Sequence, residues 1–383
     1  MLSTPPATPR DSSARADSTA PACCFFRQPL TDPGPLPQPL AESTDISKIV
    51  RCDYGADEDY TVLGERALDG WRRWNGTWRT ARFHETGVCF LTQQPMQPGS
   101  FEHASFTLLA RRGHHIERLD AAAIAARFPA YRPGAYVDGY LHREGGWAES
   151  GAAVAQLVSD AIAAGITVRP DCAIDRIVDD GALSGDHHLP ADAVVLCAGA
   201  WAPLLLPELA NLIRPVGQPV FHLQPADPAP FDAAQFPVFG ADISRTGYYG
   251  FPINRDGIVK IANHGAGLDY SPGTPRDVTT AQEAALRTFL ADSFPALARA
   301  PIVGSRLCVY GDTRDADFWI ARHPTRPTLT VATGGSGHGF KFAPILGELI
   351  ADAVLGRTNP FTHKFRWRAD LTTPFRGDAA RSS

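Results

Sequence analysis

Residues Leu329–Gly356 read LTVATGGSGHGFKFAPILGELIADAVLG. Leu329 to Ala332 is a short apolar run, which predicts a buried strand. The chain then turns through Gly334, Gly335, Gly337 and Gly339. An amphipathic helix follows, with Ile345, Leu346, Leu349, Ile350 and Val354 on one face and Glu348 and Asp352 off it. Gly356 and Pro360 stop it. A strand, a glycine turn and a helix N-terminus together make a place for something anionic, because free backbone N–H groups and the helix dipole both favour negative charge there. The same arrangement also occurs as plain architecture.

The surrounding 383 residues suffice for two domains or one large one. Hydrophobic content of 44% and charged content of 20% are those of an ordinary globular chain. A net charge of −5 offers no electrostatic case for nucleic acid. No apolar run approaches the ~18 residues a membrane helix needs. The seven cysteines, Cys23, Cys24, Cys52, Cys89, Cys172, Cys197 and Cys308, are odd in number and irregular in spacing, with no CxxC pair. This argues against a disulfide framework or a metal site and for a reducing, cytoplasmic compartment.

GGSGHGFKFAP, the turn just quoted, resembles the C-terminal flavin loop of the sarcosine oxidase and fructosyl-amino-acid oxidase family. These are FAD enzymes of the D-amino-acid-oxidase-like superfamily that oxidise the C–N bond of secondary amino acids. Two further stretches carry the same resemblance: Tyr249-Gly-Phe-Pro-Ile-Asn-Arg-Asp-Gly-Ile-Val-Lys260-Ile-Ala-Asn-His264-Gly, and Ser305-Arg-Leu-Cys308-Val-Tyr310-Gly-Asp-Thr313 with Asp317-Phe-Trp-Ile320. In family order they span about Asp32 to Arg368. The implied fold is α/β: a Rossmann-like FAD-binding domain interleaved with an antiparallel-sheet substrate domain. Its expected boundaries are 32–80, 138–212 and 305–370 for FAD, 81–137 and 213–304 for substrate, a disordered arm at 1–31 and a tail at 371–383.

The resemblance assigns roles that the residues alone leave open. Lys48 and Arg51 stand three apart and would share a face on a helix, which by itself reads as a solvated basic pair. In the family the residue matching Arg51 grips the substrate carboxylate, for which a planar guanidinium fork is suited, and the one matching Lys48 sits beside the flavin. Lys341 matches the second carboxylate-binding residue. Lys260 lies in an apolar strand, where alternation alone points it outward; the matching family lysine lies next to the flavin and activates O2, since a fixed ammonium stabilises the charge that develops on reduced oxygen. His264 follows on the same segment as a second catalytic candidate. The cysteine matching Cys308 forms a thioether to the flavin, whereas most lone cysteines are buried structural thiols. Gly335, Gly337, His338 and Gly339 belong to the flavin loop, with a structural role for His338 equally open. Ile174 matches the residue whose backbone holds the adenine. Gly199 and Trp201, in the strand-and-turn Asp192-Ala-Val-Val-Leu-Cys-Ala198 followed by Gly-Ala-Trp, lie where the dinucleotide runs in this superfamily.

One feature departs from the family. A GxGxxG turn between the first strand and helix should cradle the FAD pyrophosphate. Residues 1–40 instead hold nine of the 33 prolines, and no glycine precedes Gly34. The chain therefore reads as a member whose residues 1–31 replace that unit. The expected activity is oxidation of an N-methyl, fructosyl, saccharopine or pipecolate-type amino acid by O2 in a monomer, with hydrogen peroxide as product and no metal. The alternatives are a truncated remnant, or misassigned gene product, that no longer retains FAD, and a dehydrogenase that passes electrons elsewhere.

Overall fold

The computed structural model describes residues 29–271 and 273–375. The arm expected over 1–31 lies outside the described residues except for its last three, of which Leu30–Thr31 pairs in parallel with Val168–Arg169. Mixed helix and sheet are organised around one nine-stranded sheet and several small ones.

In the large sheet, the strands run in the order Leu268–Asp269, Ile213–Leu223, Val259–Asn263, Tyr248–Gly250, Val238–Ala241, Val88–Thr92, Asp138–His142 and Ile116–Asp120, and Ile302–Thr313 pairs along the other side of Ile213–Leu223. All pairings are antiparallel except Val238–Ala241 with Val88–Thr92. One face packs on the helix Thr280–Ser293, which brings Leu286, Phe289 and Leu290 against Phe221, Phe239 and Ile261 in the largest apolar cluster. That helix opens with a reciprocal capping box between Thr279 and Gln282.

The smaller sheets are built from shorter pieces. Val194–Leu196 runs parallel to Leu329–Thr333, which pairs antiparallel with Trp319–Arg322. The expected buried strand from Asp192 is thus shorter and lies at an edge, with Val195 41% exposed. Helix Glu58–Thr77 is capped by Asp57, whose carboxylate accepts from the N–H of Tyr60. Its stripe of Tyr60, Leu63 and Ala67 meets Ile345 and Leu349 of helix Ala343–Leu355. The two helices approach closely, since a Cβ on Gly70 would stand 2.4 Å from Pro344.

One local expectation needs correction. Lys48 and Arg51 do not share a helix face: Lys48–Val50 is a strand, paired with Gly146–Ala148, and Arg51 follows it. The run Lys-Ile-Val-Arg has two β-branched residues at its centre, which suit a strand paired on Gly146–Ala148 better than a helix. Helix Ser150–Ala163 follows this pairing. Glu149 is the N-cap residue, and Ser150 Oγ donates to the carbonyl of Asp45 at 2.8 Å. Asp138–His142 and Ile302–Thr313 both join the large sheet. We propose the two-domain division with these strands crossing between the halves.

Candidate active site

Asp45 is the centre of a buried ionic cluster. Lys260 Nζ donates to Asp45 Oδ2 at 2.7 Å and to the carbonyl of Ser47 at 2.5 Å. His222, opposite Lys260 in the sheet register, stands 3.3 Å from Asp45 Oδ1. Arg306 lies 3.8 Å from Asp45 Oδ2. Lys260 is 1% exposed and not turned outward as alternation alone predicts, because Val259–Ala262 is buried on both faces of the strand. A lysine can be buried there because Asp45, on a separate segment, meets its charge. Burial still lowers the Lys260 ammonium to about 8, against the pull of Asp45. Burial acts on the Asp45 carboxylate too, but Lys260, His222, Lys48 and Arg306 outweigh it and hold Asp45 well below its ordinary range.

Lys48 and Cys308 meet beside this cluster, with Lys48 Nζ 3.5 Å from Cys308 Sγ. Cys308 is buried, opposite Gln218 in the long strand pair. Glu42 completes the group. Burial and the nearby Asp312 raise its carboxyl to about 7, although Lys48, the N–H of Gly337 and Lys341 favour its ionised form.

Arg51 and Lys341 converge on one ring. The Arg51 guanidinium carbon lies 4.9 Å from the centroid of Tyr54, and Lys341 Nζ donates to the Tyr54 hydroxyl at 3.0 Å. Phe90 and Phe101 also face the guanidinium, at 5.4 and 5.7 Å. Arg51 Nη1 is buried with no hydrogen-bond partner among the described residues. A guanidinium N–H in that state is a binding group for an anion. The carbonyl of Lys341 accepts from Trp71 Nε1 at 2.7 Å, which ties this residue to the helix Glu58–Thr77.

The glycine loop is shaped by contact. Gly337 has φ +73°, and a Cβ there would stand 2.2 Å from the Tyr310 ring. His338 Nε2 donates to the carbonyl of Ala316 at 3.1 Å, which leaves Nδ1 to accept from the Tyr54 hydroxyl at 3.1 Å. The ring stacks on Phe318 with centroids 4.8 Å apart. His338 thus holds Tyr54 in place. At Gly335 an added Cβ would meet nothing closer than 3.8 Å, and at Gly199 nothing within 4 Å. The two glycines are linked through Thr333, whose Oγ1 donates to the Gly199 carbonyl at 2.8 Å. Gly339 lies across the turn, 3.4 Å from Gly335 by the same construction. These open backbones sit beyond the C-terminal ends of the parallel strands Val194–Leu196 and Leu329–Thr333, the end at which open α/β sheets take ligands. Backbone open to approach, with buried cations beside it, fits a flavin.

Other expected residues are spread more widely. His264 Nδ1 is 3.4 Å from the Tyr310 hydroxyl. Trp201 lies under Arg276, at 5.2 Å. Ile174 precedes the strand Arg176–Val178, and no hydrogen bond or ion pair among the described residues joins it to the lysine cluster. Asp45, Tyr54 and Glu42 were not legible as site residues. Each is a common residue type in an irregular segment, and only the fold brings them to Lys260, Lys341 and Gly337.

The family model for FAD dependent oxidoreductases (DAO) matches residues 36–353. The chain belongs to this family. It is 31% identical over 362 residues to the N-methyl-L-tryptophan oxidase of Salmonella arizonae, covering 91% of each protein. The corresponding protein of Salmonella typhimurium is equally similar, 31% over 365 residues. Among solved structures, fructosyl amine:oxygen oxidoreductase (Amadoriase I) of Aspergillus fumigatus matches with a TM-score of 0.72 and 26% identity, covering 89% of this chain and 84% of that one. Fructosamine oxidase (Amadoriase II) of the same organism, at 24% identity and a TM-score of 0.78 over 92% of this chain and 87% of that one, shares the fold. As an FAD dependent oxidoreductase, the chain is a flavoprotein.

Proposed function

We propose that this FAD dependent oxidoreductase is an oxidase of secondary amino acids. The observation that carries the reading is the meeting of Arg51 and Lys341 at Tyr54, with Arg51 Nη1 buried and unpartnered. Two cations on one ring form a clamp for a carboxylate, and clamping the acid end orients the C–N bond for reaction. Bound FAD would supply the two-electron oxidation of that C–N bond, with O2 as the final acceptor and hydrogen peroxide as the product. The substrate nitrogen loses a proton in the same oxidation, and water hydrolyses the resulting imine.

The chain's own residues divide the remaining work. Lys260 presents a fixed ammonium in a buried setting, where it stabilises negative charge on oxygen more than it would in water. Asp45 and Ser47 hold that ammonium in place. His264 is a second polar group on the same segment. Cys308 is the covalent anchor, with Lys48 Nζ 3.5 Å from its sulfur. Gly335, Gly337, Gly339, Gly199, Trp201 and Ile174 line the path of the cofactor. The similarity to N-methyl-tryptophan and fructosyl-amine oxidases supports an N-methyl or N-fructosyl amino acid as substrate. The protein acts as a monomer in the cytoplasm.

The test is a visible spectrum of the purified protein and of its acid-precipitated pellet, with peroxide release from N-methyl and fructosyl amino acids. Flavin bands that stay in the pellet and leave it in Cys308→Ala are the expected result. Bands that wash into the supernatant overturn the covalent link while keeping the oxidase. A colourless protein that makes no peroxide overturns the oxidase reading.

A further inference from the structure

We propose that Cys52, His114 and His142 form a site for a divalent transition metal of zinc's class, behind the carboxylate clamp. One donor atom from each residue lies within 4.8 Å of the other two. Cys52 and His142 are fully buried, and His114 is at the rim. Cys52 Sγ is 4.0 Å from His114 Nε2. In a tetrahedral site with bonds of ~2.0–2.3 Å the donors stand ~3.3–3.8 Å apart, so rotamer shifts of about an ångström close this set around an ion.

The surroundings are those of a metal site. His114 Nδ1 is backed by Glu144 at 2.5 Å, and His142 Nδ1 by the buried Asp53 at 3.0 Å. A carboxylate behind each imidazole fixes the ring and raises its basicity toward a metal. Glu144 also reaches His142 Nε2, at 3.0 Å. A fourth ligand is at hand in Glu65, whose Oε1 lies 2.8 Å from His114 Nε2 and which Arg112 holds from the outer side. Entry is provided by a cavity of about 300 Å³ that opens between Glu65, Asp69, Arg72, Arg112, His114 and Glu144. One thiolate, two imidazoles and a carboxylate form a borderline-soft set that selects zinc or cobalt over calcium or magnesium. Cys52 takes up the ion as thiolate, and His114 and His142 give up the Nε2 protons that now face Glu65 and Glu144, all released to solvent.

The location gives the site a role that no flavin chemistry requires. Cys52 directly follows Arg51, and Asp53 accepts hydrogen bonds from both His142 and the Tyr140 hydroxyl. An ion here pins the backbone that carries the clamp arginine.

The experiment uses the full-length protein with its flavin. The protein is stripped with a chelator, given one equivalent of zinc, passed through a desalting column and examined for metal content and zinc-edge X-ray absorption. The expected result is one zinc per chain with one sulfur at ~2.3 Å and the remaining ligands nitrogen or oxygen at ~2.0–2.1 Å. Cys52→Ser removes the sulfur shell, and His114→Gln, altered only at the rim, lowers zinc affinity at least tenfold. A protein that emerges without zinc overturns the site. So does zinc whose sulfur shell survives in Cys52→Ser. Neither outcome depends on turnover, so the site and the oxidase reading fail separately.

Discussion

At the scale of single residues, the pH behaviour of Lys260 distinguishes a working ammonium from a structural one. Its proton is lost near pH 8 in the folded chain, against an ordinary value of 10.5, because burial disfavours the charge. Between these values the unfolded chain holds the proton and the folded chain does not, so this group makes stability rise with pH across that window. The proposed catalytic effect has the opposite sense. As pH rises through about 8 the ammonium disappears and the O2-dependent step slows. Stopped-flow reaction of the reduced enzyme with O2 should show this fall. Lys260→Met should be slower by ~10²–10³ at pH 7, the loss typical of one stabilising donor, with no fall across the window. A wild-type rate in Lys260→Met would remove Lys260 from the oxygen step.

At the scale of elements, the turn after Leu329–Thr333 and the helix Ala343–Leu355 that follows it together supply a matched pair of glycines. Gly337 needs its left-handed backbone at φ +73° and has the Tyr310 ring where a Cβ would go. Gly347 lies in the helix with nothing within 4 Å of its would-be Cβ. Gly337→Ala should therefore cost at least ~1–2 kcal/mol from backbone strain alone and weaken flavin retention. Gly347→Ala should stabilise by ~0.5–1 kcal/mol. Thermal melts and flavin content measure both, and equal effects would refute the packing argument. This turn was readable in the sequence because strand, glycines and helix are all local patterns. Lys48–Val50 was not, since its strand exists only through pairing with Gly146–Ala148, about a hundred residues away. The resemblance supplied roles for Lys260, Arg51, Lys341 and Cys308. It did not supply Asp45 or Tyr54, whose significance lies in what other segments bring to them.

At the scale of the whole molecule, Asp45 joins parts of the chain that no sequence window connects. Its carboxylate meets Lys260, His222 and Arg306, from three strands of the large sheet. Its carbonyl accepts from Ser150 Oγ and from the N–H of Gly151, at the start of a helix in the other half. One residue thus fixes its own segment and the helix Ser150–Ala163 to the large sheet. Asp45→Asn leaves Lys260 and Arg306 as buried or half-buried cations without their shared counter-charge. Breaking such a pair from one side costs ~3–5 kcal/mol. The pH dependence separates this from a packing defect. The Asp45 carboxyl is held well below its ordinary value of 3.8, so it stabilises the fold fully above that value, and its contribution is lost as pH falls through it toward the folded-state value. Urea titrations should show wild type far more stable than Asp45→Asn at pH 7, with the gap narrowing as pH falls below 3.8. A gap that stays constant with pH would mean that the two halves are held together by shape alone, and that the ionic cluster around Lys260 serves catalysis without carrying the fold.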